Sequence, residues 1–429
     1  MRPSRVLSGL AVLAAIVLSA VLAIRAIAPP QPPSGDIPAS EFSAHRAFAL
    51  LKDIAAEPHA LGMAAHDAVR DRIIEMWREI GLEPQLQAGL YVGAENHYAA
   101  RVENILVRLP GKNPPAGRTL MLATHYDSVS PAPGAADAGS GVVTLLETAR
   151  ALRSGPPLAG DVIFLITDAE EDGLIGAHVF MDEHPWARDV GLALNFEARG
   201  TTGPSLMFQM SRGNGKLVSA LAVTPHPRAY SFGGTVYRSM PNNSDLGVWM
   251  DGGIQGMNFA FIGRPYDYHT AGDNLSNLDL RSLQHHGSYA LALARRFGNS
   301  GVPEPTSGDS VYFSVFGDLI IRYSGGTALG LAGIIVALIV VAGVVGIARR
   351  RLQIRGLVRG LFFAIGAIIL SAGLGYGFVA AVRASHRSWL PPGPWRYNAG
   401  YLLAVVFLAL TATSFLFGRI RTKRTAFET

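Results

Sequence analysis

Residues Thr119 to Gly141 read Thr-Leu-Met-Leu-Ala-Thr-His-Tyr-Asp-Ser-Val-Ser-Pro-Ala-Pro-Gly-Ala-Ala-Asp-Ala-Gly-Ser-Gly. The apolar run Leu120 to Ala123 predicts a buried strand, His125 and Asp127 stand at its end, and a Pro/Gly loop follows that carries Asp137. Ligands collect at the carboxyl ends of parallel strands. The chain downstream repeats this arrangement of an apolar strand followed by a histidine or carboxylate at its tip.

Working outward, strands are expected at 86–92, 100–109, 162–167, 190–196 and 257–262, and helices at 43–55, 142–152, 175–183, 214–223 and 280–297. A further helix places Val69, Ile73, Met76, Trp77 and Ile80 on one face, with Gly81 as its stop. Alternation of helices with unbroken apolar strands predicts an α/β fold with a mainly parallel, mixed sheet sandwiched by helices.

Both ends of the 429-residue chain are different in kind. Residues 6–24 form an uncharged apolar run after Arg2 and Arg5, which predicts a signal anchor, with a cleaved signal peptide as the alternative. Residues 327–348, 360–382 and 399–418 are each about the ~20 residues of a spanning helix. Arginines 349–351, 355 and 359, and the basic tail from Arg419 to Arg424, join Arg2 and Arg5 in favouring one cytoplasmic side, against a weaker counter-signal from Arg383, Arg387 and Arg396. The soluble middle is therefore expected outside the cytoplasm. The net charge of +5 sits largely in these flanks and gives no case for nucleic acid. With no cysteine, disulfides, thiolate ligands and a thiol nucleophile are excluded.

Five candidate ligands lie at or just past strand ends: His125, Asp137, Glu171, Glu197 and His269. Imidazole and carboxylate without thiolate suit zinc or another first-row divalent ion. Five exceed the needs of one tetrahedral ion and suit two ions about 3.5–4 Å apart sharing a carboxylate. Asp137, in its Gly-rich loop, is the natural bridge. In Asp168-Ala169-Glu170-Glu171-Asp172 the adjacent carboxylates repel, and two roles resolve this: Glu171 binds metal and Glu170 takes a proton from water. A lone His-x-Asp is common by chance; an ordered set of five is not.

The segments His125-Tyr126-Asp127, Asp137-Ala138-Gly139-Ser140-Gly141, Glu170 to Gly176, Asn195-Phe196-Glu197 and Tyr268 to Asp273 together resemble the co-catalytic di-zinc aminopeptidase and glutamate carboxypeptidase II-like peptidases. That family also holds glutaminyl cyclases. The resemblance implies His125 and Glu197 on one zinc, Glu171 and His269 on the other, Asp137 bridging, and Glu170 as general base to a metal-bridging hydroxide. It further implies Asp127 orienting His125 and Tyr268 stabilising an oxyanion. Ala138 stands where many members have asparagine or aspartate, and Glu197 where aspartate is frequent. The segment Gly308 to Gly317 is similar to the junction in the vacuolar and endoplasmic-reticulum membrane metallopeptidases.

The expected organisation is an anchor at 1–28, a linker at 29–39, a zinc peptidase domain at 40–300, a junction at 301–326, spanning helices at 327–348, 360–382 and 399–418, and a cytoplasmic tail at 419–429. The expected activity is that of a multi-pass membrane zinc aminopeptidase with two Zn2+, acting on peptides or proteins from a bacterial inner membrane, its domain periplasmic or extracellular. A glutaminyl cyclase is the alternative on the same scaffold, and a receptor-like domain that has lost its ligands is a third. The remaining histidines, His45, His59, His66, His97, His178, His184, His226, His285, His286 and His386, are expected at the surface or in packing, and Asp245 in a rim or structural role.

Overall fold

A computed structural model describes residues 13–22, 25, 28–93, 98–113, 118–238, 240 and 243–385. It divides into two compact units at Gly325/Gly326.

The first unit is built on a seven-stranded sheet in the order β1-β2-β4-β3-β5-β7-β6. The strands are β1 (Gln85–Gly93), β2 (Tyr98–Leu109), β3 (Thr119–His125), β4 (Val162–Thr167), β5 (Val190–Ala198), β6 (Leu206–Met210) and β7 (Gln255–Phe261). The four central strands β4, β3, β5 and β7 run parallel, and β1, β2 and β6 are antiparallel to their neighbours. The expected mixed, mainly parallel sheet is what is seen.

Why the central strands are continuous apolar runs follows from their two faces. Leu120, Leu122, Phe164, Ile166, Leu194 and Phe196 enter one core with α1 (Ala44–Ile54), α2 (Ala64–Glu79), α3 (Gly139–Arg153) and α8 (Leu280–Ser300). Met121, Ala123, Ile163, Leu165 and Ala193 enter a second core with α4 (Ile175–Glu183) and α7 (Asp245–Asp251). Alternate side chains therefore point into different cores, and both faces are apolar along most of their length.

Capping explains two of the helix starts. Ser43 accepts from the Arg46 amide at 3.4 Å, and Asp279 accepts from the Arg281 amide at 2.9 Å. Helix α3 begins three residues earlier than apolar periodicity predicts, because it opens in the Gly-rich loop itself. A Cβ on Gly141 would collide with Thr124 Oγ1 and the Phe196 carbonyl, so glycine allows α3 to sit directly on β3 and β5. Strand β6, α6 (Ser231–Arg238), α7 and a two-stranded hairpin, β8 (Ser310–Val315) and β9 (Leu319–Ser324), were not anticipated. A short helix, α5 (Gly215–Leu221), falls within the expected 214–223.

In the second unit, α9 (Gly325–Ala348) has a hydropathy of 2.9 and is the one helix among the described residues long and apolar enough to cross a membrane. The expected span at 360–382 falls within α10 (Ile354–Ser385). At the N-terminus a short apolar helix, Leu13–Leu22, is described. The expected span at 399–418 and the tail at 419–429 lie outside the described residues.

Two packing histidines carry a pH consequence. His285 Nδ1 accepts from the Ser205 amide at 3.1 Å while its Nε2 donates to the His226 carbonyl at 2.9 Å, a pairing that only the neutral ring can make. His286 lies 2.8 Å from Ser205 Oγ, against the rings of Phe196 and Phe261. Burial pushes both down to about 3. Between the ordinary value of about 6.5 and 3, the unfolded chain binds protons that the folded chain refuses, so stability falls as pH falls through that window. His286→Gln should flatten this slope by about 1.4 kcal/mol per pH unit, read from urea unfolding of the full chain in detergent between about pH 6 and about pH 4.

Candidate metal centre

The carboxyl ends of β3, β4 and β5 bring their side chains to one place. His125 is the last residue of β3, Glu197 lies near the end of β5, and Glu170 and Glu171 lie in the turn after β4. Asp137 comes from the loop before α3, and His269 from the loop after β7, at φ 58. Nε2 of His125 is 3.4 Å from Asp137 Oδ1 and 3.5 Å from Glu197 Oε2. Nε2 of His269 is 3.2 Å from Asp137 Oδ2 and 2.8 Å from Glu171 Oε1. Asp137 thus turns one oxygen toward each imidazole. Donor atoms of His125, Asp137 and Glu171 all lie within 4.8 Å of one another.

The surrounding contacts aim these groups. His125 Nδ1 donates to the Asp127 carbonyl at 3.0 Å, which turns Nε2 toward the cluster. Asn195 Nδ2 donates to Glu197 Oε1 at 2.9 Å, and Asn258 and Gln209 extend this network at 3.2 and 3.1 Å.

Two buried carboxylates each grip a pair of consecutive amides. Asp127 accepts from Glu170 N–H and Glu171 N–H at 3.0 and 3.1 Å, and its oxygen also lies 3.3 Å from His125 Nδ1. Asp273 accepts from Ala136 N–H and Asp137 N–H at 2.6 and 3.0 Å. Asp127 therefore touches both His125 and the acidic turn, a wider set of contacts than sequence reasoning gave it. Asp273 received no role from the sequence.

The acidic run after β4 splits its carboxylates between environments. Asp168 turns away, with Oδ1 2.8 Å from His66 Nε2 and Oδ2 accepting from the Glu103 amide at 2.8 Å. His66 is thus a buried ion-pair partner. Glu170 and Glu171 face the cluster, and Asp172 is exposed. Positive φ at Ala169, Leu174 and Gly173 makes this reversal tight.

Electrostatics follow the crowding. Burial, then the charge of Glu197, holds the Glu170 carboxyl well above the usual carboxylate range. Glu171 is pushed up to about 7 by burial and by Asp137. Burial opposes charge on His125, but the carboxylates of Asp127, Asp137 and Glu197 beside it overcome this and push the ring well up. His269 rises to about 9 in the same contest, through Asp137 and Glu171. Imidazoles that hold protons against burial report a strongly negative enclosure.

Asp245, expected in a rim or structural role, is buried at the start of α7; burial pushes it up to about 7, and Thr167 Oγ1 donates to its Oδ2. Tyr268 stacks on His269 with ring centroids 3.7 Å apart, and burial raises its phenol well above the ordinary value. Arg199, which sequence reasoning missed, lies two residues beyond Glu197, its guanidinium 5.5 Å from the Tyr268 ring and 5.9 Å from that of Tyr237. Its place just past a strand end was the available signal.

A divalent cation fits this donor set. His125 Nε2 and Asp137 Oδ2 are buried without hydrogen-bond partners, the donors are all imidazole nitrogen and carboxylate oxygen, and carboxylates crowd both imidazoles.

Comparison with known proteins agrees. Residues 104–294 match Peptidase family M28. Endoplasmic reticulum metallopeptidase 1 of Mus musculus is 32% identical over 242 residues, covering 54% of this chain and 27% of that protein. The vacuolar membrane protease of Candida albicans (strain WO-1) is 32% identical over 281 residues, covering 62% of this chain and 31% of its own length. The chain thus spans about a third or less of these curated relatives. The solved aminopeptidase from Aneurinibacillus sp. strain AM-1 shares the fold with a TM-score of 0.50 at 13% identity, over 63% of this chain and 98% of that one. Over residues 104–294 the chain carries a peptidase domain of family M28.

Proposed function

We propose that the chain is a membrane-anchored di-zinc metallopeptidase acting as an aminopeptidase, with its peptidase domain outside the cytoplasm and the N-terminal and three C-terminal apolar runs spanning the bilayer. The observation that carries the reading is the convergence of two histidines on the two oxygens of Asp137, with Glu171 and Glu197 completing a carboxylate-rich pocket. His125 and Glu197 would hold one ion, Glu171 and His269 the other, and Asp137 both.

Zinc bound there supplies a Lewis acid and water of lowered pKa. The chain's own residues do the rest. The raised proton affinity of Glu170 suits a group that takes a proton from attacking water and returns it to the leaving amine. Tyr268, kept neutral by burial, is a phenolic donor for the developing oxyanion. Asp127 and Asp273 fix the backbone beneath Glu170, Glu171 and Asp137, so the ligands are held before substrate arrives.

Glu170→Gln in the full chain should lower turnover of free-amine peptides by about 10²–10⁴-fold while the zinc content, measured by elemental analysis, stays at about two per chain. N-blocked peptides should resist the parent enzyme. Bound metal with no peptide cleaved would turn the assignment toward cyclisation of N-terminal glutamine, and absence of bound metal toward a receptor-like role. Asp273→Ala strips the acceptor from two buried amides and should weaken zinc retention by about 10–100-fold, measured by chelator competition, with Asp273→Asn intermediate.

A further inference from the structure

The hairpin β8–β9 has two unlike faces. Register pairs Val311 with Tyr323, Phe313 with Ile321 and Val315 with Leu319, so these six side chains share one face. The opposite face packs inward: Tyr312 and Ile320 are buried in the larger core. Backbone and side-chain bonds fix it there, with the Ser314 amide donating to the Ala229 carbonyl at 3.0 Å and the Ala229 amide donating to Ser314 Oγ at 2.9 Å.

An antiparallel ribbon with one packed face ordinarily turns polar residues outward. The outer face of this one is apolar and aromatic throughout, with Val311, Phe313, Val315 and Tyr323 half-buried and Leu319 and Ile321 exposed. Leu319 is 58% exposed and Ile321 40%, and Phe316 at the hairpin tip is 89% exposed with φ at 51, a conformation that a bulky residue adopts only at a cost. In water such a ribbon is an invitation to aggregate.

Chain continuity says what covers it. Strand β9 ends at Ser324 and α9 begins at Gly325 with no residue between. A helix of 24 residues is about 36 Å long against a hydrocarbon core of about 30 Å, so its first turn lies near the interface and leaves little slack. Six strand residues rise about 20 Å, which keeps all of β9 within reach of the same plane. Exposed Phe316 and the half-buried Phe313 and Tyr323 suit that level of the bilayer.

We propose that the outer face of β8–β9 lies in the boundary between lipid headgroups and acyl chains, seating the peptidase domain on the bilayer; this rests on the reading of α9 as a membrane span. The hairpin is joined through Tyr230 and Ala229 to Met207 of edge strand β6, so docking would set that edge of the sheet toward the lipid.

Because the chain has no cysteine, single introduced thiols are unique labels. Ile321→Cys and Leu319→Cys report the outer face, Ile339→Cys the span, and Glu79→Cys a solvated helix. Each is spin-labelled in the full chain, checked for an unchanged unfolding midpoint, and reconstituted in phosphatidylcholine vesicles. The ratio of collision with oxygen to collision with a water-soluble nickel chelate should be several-fold higher at 319, 321 and 339 than at 79. If 319 and 321 match 79 while 339 stays lipid-like, the hairpin faces water and the proposal fails with the span intact. If 339 also matches 79, the span reading fails and the proposal with it. Positions 319 and 321 closed to both probes would place the face against protein, a second copy or another segment of the chain, and overturn lipid docking.

Discussion

Buried negative charge is the constraint on which the soluble unit is arranged. Asp137, Glu170, Glu171 and Glu197 crowd two imidazoles at the ends of parallel strands. Carboxylates so placed repel each other and are withheld from water, and each would be expelled or neutralised unless something met its charge. Amide pairs, asparagine donors and protonated imidazoles meet part of it. The remainder is what suits the pocket to a cation, since a metal ion could take the place of the imidazole protons.

The sheet makes this crowding possible. Four adjacent parallel strands place their carboxyl ends on one edge, and both faces are sealed by apolar packing, so the strands cannot shift to relieve the repulsion. Glycine at 141 removes the last obstacle to a close approach by α3, whose preceding loop carries Asp137. Rigid backbone and strained electrostatics are thus two sides of one design, in which packing energy holds together groups that would otherwise separate.

How much of this was legible follows from locality. Strands β3, β4, β5 and β7 are visible as unbroken apolar runs because sealing both faces leaves a local trace, and the candidate ligands stand out because they follow those runs directly. Strand β6, at five residues, and helix α7, at seven, owe their form to tertiary contacts, including burial of Leu246 and Trp249, and leave little periodic signal. The grip of Asp273 on Asp137 spans 136 positions, and the pairing of His66 with Asp168 spans 102. No window along the chain contains both partners. Hairpin β8–β9 did alternate in sequence, yet its apolar face is the outer one, so alternation gave no hint of which side was buried.

Residues 29–39, expected as an extended linker, have no helix or strand, and from Pro33 on they run into a segment that packs on the domain. Residues from Pro33 to Phe42 border a cavity of about 430 Å³ against α8, Arg295 reaches Glu41 at 3.0 Å, and the Phe42 ring occupies the space that a side chain at Gly287 would need. A free ten-residue tether would let a domain wander over roughly 17 Å. Laid against α8, these residues instead form a short stalk whose motion is that of the domain. Any surface that held the chain ahead of these residues would then meet the carboxyl edge of the sheet at a set height rather than a wandering one.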